Sequence, residues 1–160
     1  MTENNLIDNH LKVAWDKIAS WCAYRERCQQ EVRNKLYDMK LCSTPEIEQL
    51  IARLITENFV NEIRYATAFA GGKFRINKWG KIKIKIELQK HNLNAYCIKK
   101  ALESIDEDDY RKTLKLLIER KLKEIKHPNK QYCIHKTIQF CISKGFEIGL
   151  IRELLPDFDE

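Results

Sequence analysis

The side chains whose types and spacing best suit chemistry lie in KFRINKWGKIKIKIELQK, residues 73–90. Seven basic residues there, Lys73, Arg75, Lys78, Lys81, Lys83, Lys85 and Lys90, face the single acid Glu87. The segment sums to +6, the formal charge of the whole chain, so the remaining residues sum to zero. A surplus confined to one place selects a polyanionic partner, nucleic acid or an acidic protein surface, over general stickiness. Trp79 stands between Lys78 and Lys81, where an indole can stack on a base or pack against the protein. These eight residues form the candidate binding set.

Other chemistry is poorly supported. His127, Cys133, His135 and Cys141 are ligand types in one short region, but zinc sites favour tighter pairs such as C-x-x-C. On a helix Cys133 and His135 point about 200° apart. None of the six cysteines forms a C-x-x-C pair, and they read as reduced thiols, mostly small core fillers. Neither phosphate-cradling glycine motif is present. The expectation is a non-enzymatic protein without metal or cofactor.

The elements that carry the basic segment are ambiguous at first sight. Apolar and basic residues alternate from Lys81 to Leu88, the period of a half-buried strand, and NKWG could turn a hairpin. Almost everything around it has helical spacing: Leu11, Ala14, Trp15 and Ile18; Ile47, Leu50, Ile51 and Leu54; Tyr110, Leu114, Leu117 and Ile118. Thr44 can cap the helix that Pro45 opens, and Asn61 opens the next, which Gly71 and Gly72 end or loosen.

Internal repetition decides the question. With Leu36, Leu88 and Cys141 superposed, Val32, Ile84 and Thr137 align four residues earlier, and Leu41, Leu93 and Phe146 align five later. The period is 52 to 53 residues, and neither EVRNKLYDM nor KTIQFCISK can be a strand. The spacing therefore predicts a loop and then a helix from about Lys78, with Ile84 and Leu88 inward, Ile82 and Ile86 on another side near Trp79, and lysines outside. The fold class is all-α, in three units spanning residues 1–58, 59–105 and 106–160.

The ordered stretches SWCAYRERCQQEVRNKL, EIEQLIARLITENFVNEIRYATAFA, WGKIKIKIELQKHNLNAYCIKKAL, RKTLKLLIERK and FCISKGFEIGLIRELL resemble the RecX family of bacterial regulatory proteins. Its recurring motifs fall on Arg25 to Cys28, Tyr65 to Phe69, Gly80 to Leu88, Arg120 with Lys121, and Phe140 to Phe146. Cys28 stands where the family has a Ser cap, which weakens the expected start of the second helix. Asn92 stands where glycine is common, and KIKIKIE is richer in isoleucine than the family's Arg-rich version.

The resemblance implies three tandem three-helix repeats in a curved, elongated array. It also implies binding to the RecA filament on single-stranded DNA, restraining recombination and coprotease activity. A rival reading is a helical module that binds duplex DNA without RecA, with Gln89 and Asn92 as its base-reading side chains. MTENNLIDNH lacks the basic and apolar regions of a secretion signal, and no stretch suits a membrane span. The expectation is a cytoplasmic monomer.

Overall fold

The computed structural model describes residues 3–156, and the outer ends of the first and third sequence-derived units lie outside the described residues. Among the described residues nine helices follow one another: α1 (Glu3–Tyr24), α2 (Gln29–Met39), α3 (Thr44–Thr56), α4 (Glu62–Asn77), α5 (Lys81–Lys90), α6 (Ala95–Glu103), α7 (Glu107–Glu124), α8 (Lys130–Ser143) and α9 (Ile148–Leu154). The protein is all-α, and the helices fall into three successive trios. No helix among the described residues is long and apolar enough to cross a membrane.

Each trio repeats the same local solutions. The superposed residues of the second helices, Val32 and Leu36, Ile84 and Leu88, Thr137 and Cys141, are all buried. Four residues after the second of each pair the chain turns through the left-handed region, at Lys40 (φ 54°), Asn92 (φ 59°) and Gly145 (φ 96°). This is the usual way to stop a helix and satisfy its last carbonyls. The third helix then opens on Ser43, Asn94 or Glu147. It plants an isoleucine, Ile47, Ile98 or Ile151, in the core four residues on. The cap of α3 is thus Ser43, one residue before the expected Thr44.

KIKIKIELQK is helix α5, with Ile84 and Leu88 fully buried. Sequence reasoning misplaced what precedes it. Gly71 and Gly72 do not interrupt α4, which runs on to Asn77, so residues 73–77 are helical rather than loop. Helix-breaking propensity costs only about 1 kcal/mol per glycine. The burial of Ala70, Gly71 and Phe74 in the same turns outweighs it. The connection shrinks to Lys78, which is left-handed, with Trp79 and Gly80, and the second helix starts at Lys81.

Among the described residues, buried apolar side chains form two cores. One lies within the first trio, around Ile18, Leu36, Ile47 and Leu54. The other runs unbroken through the second and third trios, from Tyr65 and Phe74 to Ile118 and Ile151, and takes in Cys28 from the first.

Candidate binding surface of the middle trio

Helix α5 positions the predicted lysines, and its environment divides them. Its N-terminal N–H groups, which no helix can satisfy internally, are met by the third trio. Gly80 N–H donates to the Lys144 carbonyl at 2.7 Å, Ile82 N–H to the Gly145 carbonyl at 3.0 Å, and Lys81 N–H to the Tyr110 hydroxyl at 2.9 Å. Tyr110 in turn donates to Glu147 Oε2 at 2.7 Å, and burial pushes its hydroxyl far above the usual tyrosine range. The backbones meet because both positions are glycine. A Cβ on Gly80 would lie 2.2 Å from the Gly145 carbonyl carbon, and one on Gly145 2.3 Å from Lys83 Cβ.

This docking commits several of the candidates. The Lys81 side chain is only 19% exposed, pairs with Glu107 and lies over the Tyr110 ring. Lys78 Nζ donates to the Arg75 carbonyl at 2.7 Å, and Lys90 pairs with Glu87 at 2.9 Å. Trp79 is half-buried against the core, with the Lys73 and Lys83 ammonium groups 4.8 and 4.5 Å from its ring. Arg75 and Lys85 are exposed and have no acidic partner among the described residues. Lys85 edges a groove of about 550 Å3 between α5 and α6, floored by Ile98 and Leu102. On the outer face of the same helix Ile82 and Ile86 are 47% and 48% exposed.

The structure therefore does not gather the eight residues on one face. The bracing of Trp79 has a counterpart that sequence reasoning missed. In the first trio Arg27, only 7% exposed, lies with Cζ 3.8 Å from the Trp21 ring centre. Residues 21 and 27 correspond, one period on, to Lys73 and Trp79, so the same cation–ring contact is made with the partners exchanged. The superposition of Leu36 on Leu88 already held that signal.

Three of the metal candidates are placed by other contacts. The His127 ring stacks on Tyr132 at 4.2 Å, Cys133 Sγ approaches the His127 carbonyl, and Cys141 is fully buried with its thiol pushed up to about 11 by burial. Of the base-reading candidates, Gln89 is exposed, but Asn92 donates its side-chain amide to Gln30 Oε1 at 3.1 Å. Cys28 opens α2 despite lacking the expected hydroxyl, because Glu31 accepts its backbone N–H at 3.2 Å.

Comparison with known proteins accords with this architecture. The profile described as RecX, second three-helix domain, matches residues 61–102, the span of α4 to α6. The chain is 24% identical over 162 residues to the regulatory protein RecX of Clostridioides difficile, covering 97% of this chain and 74% of that one. It is 26% identical over 149 residues to the regulatory protein RecX of Oceanobacillus iheyensis, covering 93% of this chain but 54% of that one. It thus spans between about half and three quarters of the length of these two relatives. A crystal structure of RecX from Lactobacillus salivarius superposes with a TM-score of 0.84 at 20% identity, covering 92% of this chain and 95% of that one. A second, of a regulatory protein RecX, gives 0.83 at 15% identity, covering 96% and 78%.

Proposed function

Because the chain belongs to the RecX family, we propose that it is a non-enzymatic cytoplasmic regulator. It acts as a monomer, docks on the RecA filament assembled on single-stranded DNA, and restrains the filament's recombinase and coprotease activities. Its contact units are residues 1–58, 59–105 and 106–160, laid in tandem along the filament groove, an arrangement that suits stacked repeats. The observation that carries this reading is the outer face of α5. There Ile82 and Ile86 are half exposed, Lys85 sits beside them at helical spacing, and the N-terminus is anchored in the third trio. An apolar centre edged by cations calls for a partner surface with an apolar patch and an acidic rim.

Within the sequence-derived set, Arg75 and Lys85 make the partner contacts. Lys73, Trp79 and Lys83 form a brace, Lys81 and Lys90 contribute through their ion pairs, and Lys78 closes the turn. Cosedimentation with filaments tests the assignment. Arg75→Glu with Lys85→Glu, or Ile82→Asp with Ile86→Asp, should weaken binding about tenfold or more, a loss of about 1.4 kcal/mol. Circular dichroism should stay helical. Wild-type filament affinity in both double variants removes α5 from the interface.

A further inference from the structure

The part of the chain outside residues 73–90 sums to zero, but not because it is evenly mixed. Residues 112–136 hold eight basic residues, from Lys112 to Lys136, against Glu119 and Glu124. That net +6 equals the charge of the middle segment and is cancelled by acids elsewhere, including the run Asp106 to Asp109. The eight lie on the outer side of α7, in the connection 125–129 and on α8, and all but Lys121 are exposed. Lys121 pairs with Glu124 at 3.6 Å and is the only one with an acidic partner among the described residues. The middle segment, by contrast, has Lys81 and Lys90 in ion pairs.

The tip of this hairpin has a fixed geometry. Asn129 Oδ1 accepts from Gln131 N–H at 2.9 Å and starts α8, while His127 Nδ1 accepts the Asn129 N–H at 3.1 Å. His127 and Tyr132 are thereby stacked, with rings 33° from parallel, and both are exposed. Lys136 Nζ is 5.6 Å from the Tyr132 ring. Unpaired lysines around a preset aromatic pair are poor material for a protein interface, where lysine is depleted. They are good material for a nucleic-acid strand, whose phosphates take cations and whose bases stack on rings. From Tyr110, where α7 meets α5, the fourteen residues to Glu124 rise about 21 Å. That is more than twice the screening length of about 8 Å at physiological salt, so the two basic regions act separately.

We propose that the α7–α8 hairpin is a second site, independent of α5, that binds single-stranded nucleic acid directly. Arg120, Lys123, Lys126 and Lys130 take the phosphates, and the His127–Tyr132 pair offers a ring face to a base. This does not depend on the filament reading. The probe is a fluorescent oligothymidylate titrated by anisotropy with no filament present. Lys123→Glu, Lys126→Glu and Lys130→Glu together should weaken binding at least tenfold and flatten the slope of log affinity against log salt by about 2. Tyr132→Ala should cost about tenfold without flattening it. Arg75→Glu with Lys85→Glu, the filament-contact variant, should leave oligonucleotide affinity within about twofold. The site is overturned if the wild-type chain fails to bind at low salt or if the hairpin variants bind like wild type. It is also overturned if those variants lose filament binding while keeping oligonucleotide affinity, which would make the hairpin a protein contact. Loss of filament binding alone in the α5 variants bears only on the filament reading.

Discussion

Where the second and third trios meet, two backbones touch; where the first and second meet, at corresponding positions, side chains do. Gly80 and Gly145 bring α5 against the turn after α8 closely enough for two main-chain hydrogen bonds. One period earlier Cys28 and Asn92 occupy those places, and the link is an amide-to-amide bond between Asn92 and Gln30. Tyr110 accepts a backbone N–H across its junction, whereas Tyr65, at the same step of its helix, has no such bond among the described residues. The second and third trios share one core, and the first keeps its own. The buried side-chain oxygens left without a partner among the described residues, Glu26 Oε2 and Glu62 Oε2, belong to Arg64's partner across the first junction and to the first turn of α4. Main-chain hydrogen bonds thus tie the second trio to the third, while side chains carry the link between the first and the second.

The largest test of this difference is steric. Gly80→Ala forces main chains apart, and Gly145→Ala adds a Cβ at φ 96° against Lys83. Each should cost about 3 kcal/mol or more in urea unfolding. Cys28→Ala and Asn92→Gly at the first junction should cost about 1 kcal/mol or less. Equal losses at the two junctions would end the comparison. Next in size is Tyr110→Phe, which strips the partner from both the Lys81 N–H and Glu147 and should cost about 2 kcal/mol. Tyr65→Phe should cost under about 0.5 kcal/mol.

A subtler test uses the exchanged cation–ring pairs. Trp79→Arg alone should lose about 1 kcal/mol, and adding Lys73→Trp, which rebuilds the arrangement of Trp21 and Arg27, should restore part of it. Additive losses in the double variant would show that the two trios are not equivalent there. The smallest effect is electrostatic. Burial raises the Glu62 carboxyl, with Arg33 acting the other way. A raised folded value means that its contribution is complete below the ordinary carboxylate range and is lost as pH rises through the folded value. Glu62→Gln should therefore match wild type in acid and become the more stable protein toward neutral pH, as read by thermal unfolding.

Much of the fold was legible because repetition turns weak local signals into strong ones. The superposition of Leu36, Leu88 and Cys141 settled that KIKIKIELQK is a helix that buries Ile84 and Leu88, although its own alternation argued for a strand. The continuation of α4 through Gly71 and Gly72 was not legible. Burial of Ala70 and Phe74 decides it, and burial depends on helices not yet placed. The candidate site was legible as composition only. The eight residues were countable, but Glu107 lies 26 residues from Lys81 and Tyr110 lies 29 away, so no local spacing reveals which lysines are already engaged. The second basic cluster was countable too. It escaped because a chain-wide sum hides +6 behind acids such as Asp106 to Asp109.

The proposed restraint of RecA is tested most directly by RecA ATPase and strand exchange on single-stranded DNA, at low salt, with this chain added at stoichiometric amounts. Both rates should fall, and the Arg75→Glu, Lys85→Glu variant should restrain them markedly less while remaining folded. Rates indistinguishable from RecA alone would contradict the account.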